Sequence, residues 1–300
     1  MLGKQTLAKW LAYQGHEVEL ESFLKLIKRQ ADILVDGQMV IEFQCSTVPI
    51  EQLIERNYDY SELPLNTIWL LGQRVSESKL GYSISKFQLG FVRKTSLLGY
   101  YLLFFSPEKK QFECIHHLIH AGGKHFYGQK LVLGLHLSVR DMELKMSKAR
   151  AYSSSRERNV RCDRARLCYY YAKFKQHSKF MNHLYQSGFA LQNLPDQVGV
   201  QLDKQFLVHT PPVEWQFGLW LDFFDRLEPG DIFGFESISE RFSKSVRVMK
   251  TIVLDSDEHL ELLRDYLLYL EESDILVEFA EGRFRMKQKM KWHGNPRILS

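Results

Sequence analysis

The sequence has 300 residues, a formal net charge of +4 and a hydrophobic share of 45%. That length suggests two or three folding units. Abundant charges of both signs over a real apolar fraction exclude wholesale disorder, and the mild positive charge permits an anionic partner without requiring one.

The first predicted element is an amphipathic helix, "KQTLAKWLAYQG", with Leu7, Trp10 and Leu11 on one face and Gly15 as its stop. "EVELESFLKLI" alternates and reads as a strand. "RQADILV" and "MVIEFQ" are two more strands, separated by Asp36-Gly37-Gln38. "TVPIEQLIERNYDY" is a second helix, with Ser46 or Thr47 as cap and Pro49 in its first turn. "NTIWLLG" is a buried-type strand, and "YYLLFFSPEKKQFECIHHL" reads as a hairpin around Ser106-Pro107.

From about Glu143 the chain turns basic and then helical, so the predicted units are residues 1–142 and 143–300. The run from Lys145 to Lys179 holds Arg150, Arg156, Arg158, Arg161, Arg164 and Arg166, then Tyr169, Tyr170 and Tyr171. Basic groups interleaved with aromatics suit single-stranded DNA, which is held by phosphate contacts and base stacking. The candidate DNA contacts are Arg158, Arg161, Arg164 and Arg166. Most of the tyrosines are expected in the core. The chain ends in the helix "EHLELLRDYLLYLEE" and two strand-like runs joined at Glu281-Gly282, similar to a winged-helix ending. Arg283, Arg285, Lys287, Lys289 and Lys291 would lie on or after that wing.

The cysteines, Cys45, Cys114, Cys162 and Cys168, form no CxxC pair and so no zinc framework of that kind. The apolar run near residue 100 falls well short of the ~20 residues a membrane helix needs. No charged n-region followed by an apolar h-region opens the chain. The expectation is a cytoplasmic protein with reduced thiols and no membrane attachment. No GxSxG elbow, phosphate loop or dinucleotide glycine motif is present, which argues against serine hydrolases and ordinary nucleotide-dependent metabolic enzymes.

"ADILVDGQMVIEFQCS" carries acids inside its strands. A two-residue Asp36-Gly37 turn would pair Asp32 with Ile41 and mix acid with hydrocarbon on both faces. A three-residue loop pairs Val35 with Met39 and Asp32 with Glu42. It gathers Ala31, Ile33, Val35, Met39, Ile41 and Phe43 on one face, and Asp32, Glu42 and Gln44 on the other. The apolar face selects this second register. Opposed carboxylates repel when both are ionised, so the pair calls for a cation. Oxygen ligands in this arrangement suit Mg²⁺, which leans on waters and substrate phosphate. Glu21, on the neighbouring strand with Glu19 in step, is an accessory candidate. So are Arg56 and Tyr60, which share a helix face and would either steer a phosphate or brace the helix. In "CIHHLIH", strand alternation places Cys114 and His116 on one face and His117 on the other, with His120 further along. That geometry suits no tidy metal site.

The stretch from Arg29 to Gly72 resembles the competence protein CoiA family. The resemblance rests on Arg29, Ala31-Asp32, Ile41-Glu42-Phe43-Gln44, Ser46, the Arg56–Tyr60 pair and Ile68-Trp69. It extends back to Lys4 and returns at "FMNHLYQSGFALQNLP" and "HTPPVEWQ". It implies an α/β nuclease-like core of the PD-(D/E)xK type, a mixed sheet flanked by helices, ahead of a mainly helical C-terminal region. It also implies DNA processing in natural transformation and recombination, with imported single-stranded DNA and recombination proteins as partners. The implied catalytic set is Asp32, Glu42 and Gln44, with Mg²⁺ or Mn²⁺ held by Asp32, Glu42 and the Phe43 carbonyl. Two departures stand out. Gln44 occupies the place where lysine is common in that nuclease superfamily. An N-terminal stretch with paired cysteines, usual in the family, has no counterpart in the sequence, which opens in the first predicted core helix. A metal-dependent deoxyribonuclease and a non-catalytic mediator that loads a recombinase both remain open.

Overall fold

Each element expected between Lys4 and Gly72 forms. Helix α1 (Leu2–Tyr13) precedes β1 (Val18–Leu24), β2 (Arg29–Val35), β3 (Met39–Gln44), α2 (Ile50–Ser61) and β4 (Asn66–Leu71). Then come β5 (Ser76–Ser78), β6 (Gly81–Ser83), α3 (Lys86–Leu89), β7 (Arg93–Thr95), β8 (Gly99–Ser106), β9 (Gln111–Gly122), β10 (His125–Gly134) and α4 (Val139–Ser147). This computed structural model describes residues 2–78, 81–149, 163–251 and 257–293. The chain divides into two units, Met1–Ser155 with Lys250–Leu254, and Arg156–Met249 with Asp255–Ser300.

The first unit is built on a ten-stranded mixed sheet. Its order is β1-β2-β3-β4-β8-β9-β10-β6-β5, with β7 paired to β8. The β3–β4 and β4–β8 pairs are parallel, and α2 is the crossover that the first of them requires. Val35 pairs with Met39, Leu34 with Val40 and Ile33 with Ile41, which is the three-residue-loop register. Asp36 and Gly37 at its tip have positive φ, +51° and +62°. The apolar hairpin face fixes that register by burial: Ile33, Val35 and Ile41 form one core with Leu7 and Leu11 of α1, Leu70 and Phe105. Ser46 and Thr47 do not cap α2. Pro49 stands at its N-cap without a side-chain bond.

The second unit contains α5 (Arg164–Phe174), α6 (Lys179–Gln186), α7 (Pro212–Asp222), β11 (Ile232–Gly234), α8 (Phe235–Ser245), α9 (Leu260–Glu272), β12 (Leu276–Ala280) and β13 (Arg283–Met286). Fully buried aromatics, among them Trp215, Trp220, Phe242 and Tyr266, make its core. The last three strands form a small sheet in the order β11-β13-β12. The β12–β13 hairpin turns at Glu281-Gly282, where Gly282 adopts φ +65°. Three of the five basic residues expected there are engaged within the unit: Lys287 pairs with Asp274, Lys289 lies 2.6 Å from Glu228, and the Arg285 guanidinium lies 5.0 Å over the Phe279 ring.

The tyrosine run departs from expectation. Tyr171 is buried, but Tyr169 and Tyr170 are 61% and 44% exposed. Consecutive helical residues point about 100° apart, so one can face the core while its neighbours do not. Among the described residues, no helix is long and apolar enough to cross a membrane.

Candidate active site

Glu42 and Asp32 share the polar face of the β2–β3 hairpin, and each carboxylate is held by donors from this chain. Glu42 is only 1% exposed. Its Oε2 accepts from Arg56 Nη2 and its Oε1 from the Tyr60 hydroxyl. Arg56 and Tyr60 are one turn apart on α2, which aims both at the same carboxylate. Trp69, opposite Glu42 in the β3–β4 ladder, lies beneath the Arg56 guanidinium at 5.1 Å. The helix pair clamps the acid, and its two side chains also interact with each other.

Asp32 is held from the other side. Its Oδ2 accepts from the Phe43 N–H at 2.8 Å, and its Oδ1 lies 2.6 Å from Lys4 Nζ. Lys4 is in the first turn of α1, brought close by Gly3. A Cβ on Gly3 would meet the Phe43 ring at 2.1 Å. Lys4 also reaches Glu21, at 3.5 Å. In the β1–β2 ladder, Leu20 pairs with Ile33 and Ser22 with Ala31, while Glu21 is skipped and has φ +52°. That break in the pleat takes Glu21 out of step with Glu19, whose carboxylate accepts from Ser22 Oγ. Gln44 is 9% exposed, and its Nε2 donates to the Ser46 carbonyl.

Burial pushes the Glu42 carboxyl above its ordinary value, against the pull of Arg56 and Tyr60, and the nearby Asp32 charge adds to the rise. Partial burial pulls Lys4 down, but its bond and charge contact with Asp32 win, so its ammonium is held above the ordinary value. The cation that the acidic pair calls for is thus present as two side chains, Lys4 and Arg56.

The donor chemistry suits a hard divalent cation, since both acids offer oxygen. Two carboxylates do not enclose a metal, and among the described residues no three His, Cys, Asp or Glu could hold one. Mg²⁺ bound through one or two carboxylates completes its shell with water and substrate phosphate. These residues fit a cation arriving with phosphate, not one caged by protein.

The histidine cluster differs from strict alternation. His117 has φ +50°, and this turns its ring back so that its Nδ1 lies 2.7 Å from Nδ1 of His116. Burial pushes the Cys114 thiol up to about 12. Of the four candidate DNA-binding arginines, Arg158 and Arg161 lie outside the described residues. Arg164 Nη2 donates to the carbonyls of Pro195 and Val198, both at 2.9 Å, so it braces the unit instead of standing ready for phosphate. Arg166 is exposed.

Lys4 is the residue that reading the strands missed. Lys4, Leu7 and Leu11 follow the i, i+3, i+7 spacing of a core-facing stripe, and an ammonium on that stripe needs a buried partner.

This constellation sits in a nuclease-like domain of a competence-related protein. Residues 1–146 match the family described as competence protein CoiA, nuclease-like domain, and residues 151–295 match the competence protein CoiA C-terminal domain. The chain belongs to the CoiA family. No curated protein and no solved structure matches it.

Proposed function

We propose that this chain processes DNA in natural transformation and recombination, and that its PD-(D/E)xK-like domain cleaves phosphodiesters with help from a divalent cation. The observation that supports this reading is the placement of Lys4 on Asp32, beside Glu42. Gln44 brings no charge to the place where lysine is common, and Lys4 supplies one from α1. An ammonium there would stabilise charge developing on a phosphate oxygen. Arg56 and Tyr60 fix Glu42 in one rotamer, and Gln44 would orient the attacking water. Asp32, Glu42 and the Phe43 carbonyl would hold Mg²⁺ or Mn²⁺, whose chemistry there would be to acidify a water and polarise the phosphate. The α7–β11–α8–α9–β12–β13 succession, with its three-stranded sheet, supports a winged-helix-like end to the second unit.

One observation favours the other reading, a DNA-binding mediator without catalysis. All four carboxylate oxygens of Asp32 and Glu42 already have donors within the chain. Digestion of end-labelled single- and double-stranded DNA with Mg²⁺ or Mn²⁺ separates the two. Cleavage that disappears in Asp32→Ala supports the nuclease. No cleavage of any DNA form, with DNA binding intact, leaves the mediator.

A further inference from the structure

Helix α5 has an inner and an outer side of opposite character. Arg164 and Tyr171, seven residues apart, fall on one side. Arg164 bonds the Pro195 and Val198 carbonyls, and Tyr171 is buried, its hydroxyl donating to Glu214 at 2.8 Å. These contacts fix how the helix is turned. By the helical period Arg166, Tyr169 and Lys173 lie opposite them, and Tyr170 and Phe174 continue round one flank. Tyr169, Tyr170 and Phe174 are 61%, 44% and 60% exposed.

Three exposed aromatic rings within six residues are costly unless something covers them. They also form a continuous surface. The Tyr170 and Phe174 ring centroids are 5.6 Å apart, and the Lys173 ammonium lies over both the Tyr169 and Phe174 rings, at 5.3 and 5.2 Å. The charge carried by the helix and the segment after it has one sign, with Asp163 at the helix N-cap. Between Asp163 and Asp196 the sequence has no acid, but it has Arg164, Arg166, Lys173, Lys175 and Lys179. Lys175 and Lys179 are exposed, as is Arg166.

An apolar protein partner would need rings without this charge, and a duplex hides its base faces within the stack. Unpaired bases offer π-faces to the rings while their phosphates meet the lysines, and this combination holds single strands without sequence preference. We propose that Tyr169, Tyr170 and Phe174, with Lys173, Lys175 and Arg166 around them, form a base-stacking platform for single-stranded DNA. The proposal rests on the DNA-handling reading above and assigns the strand-binding surface to the second unit.

The test uses the full chain with labelled oligo(dT) and a duplex of equal length, followed by anisotropy across a salt series. Tyr170→Ala with Phe174→Ala should weaken oligo(dT) binding by on the order of tenfold per ring, with the salt slope and duplex binding unchanged. Lys173→Ala with Lys175→Ala should instead flatten the slope by about 0.7 per lysine. Tyr170→Trp with Phe174→Tyr keeps the ring faces and should retain affinity, which separates stacking from a folding defect. If the double alanine variant binds oligo(dT) as the wild type does, the platform is wrong and DNA handling survives. If the wild type binds no DNA, both readings fall.

Discussion

Lys4 Nζ lies 2.6 Å from Asp32 Oδ1, so the first helix of the chain delivers a cation to an acid on the second strand. Glu42, on the third strand, receives its own from Arg56 on α2. The two carboxylates share a face because each has been given a compensating charge. Whether that charge outweighs the cost of burial sets the effect of neutralising one acid.

Opposed acids without partners would gain stability on losing a charge. Here the burial of Glu42 outweighs the pull of Arg56 and Tyr60, since its carboxyl is held above the ordinary value, so Glu42→Gln should raise the melting temperature of the first unit at neutral pH. A fall on thermal denaturation would mean that leaving Arg56 opposite a neutral amide costs more than burying the carboxylate charge.

Arg164 provides a second contrast. Its guanidinium bonds two backbone carbonyls, so Arg164→Ala should lower stability by about 1–3 kcal/mol. The salt dependence of DNA binding should not change. A flattened salt slope with unaltered stability would return Arg164 to the phosphate-contacting set.

The hairpin register was legible because it is overdetermined. Ile33, Val35, Ile41 and Met39 can share a buried face only in the pairing observed. The long antiparallel β8–β9 pair was legible from its turn. The Lys4–Asp32 contact was not, because local periodicity places Lys4 on a stripe without saying which strand lies under it. The exposure of Tyr169 and Tyr170 was hidden for the opposite reason: aromatic residues default to the core, and only the contacts of Arg164 and Tyr171 fix the rotation of α5. His117 escaped because its positive φ breaks the alternation that a strand reading assumes.

Burial lowers the pKa of His116, His117 and His120 below 6.5, and the proximity of the first two lowers His116 further. At a pH between the lowered folded values and 6.5, the unfolded chain binds more protons than the folded one. Stability therefore rises with pH in that window and is lost as pH falls through it. Thermal melts should show a decline beginning near pH 6.5. His116→Gln should make that decline shallower while leaving the melt at pH 8 nearly unchanged. A slope identical to that of the wild type would show that the ring pair has no part in it.

Lys4 is the proposed source of positive charge at the candidate site. If Lys4 supplies what Gln44 does not, Lys4→Met should abolish metal-dependent cleavage while leaving DNA binding by the second unit intact. Loss of an ion pair also perturbs Asp32, so loss of activity alone would not distinguish charge supply from scaffolding. Returning the charge by another route does. Gln44 lies on the same strand face as Glu42, two residues on, and a lysine there can reach the acids without α1. Lys4→Met with Gln44→Lys should therefore recover cleavage toward the wild-type rate. Lys4→Arg, longer and forked, should recover less, because its planar donors do not reproduce a compact ammonium against Asp32. If the double variant stays inactive while its thermal melt matches the wild type, the charge-supply role is wrong and Lys4 is a structural counterion to Asp32.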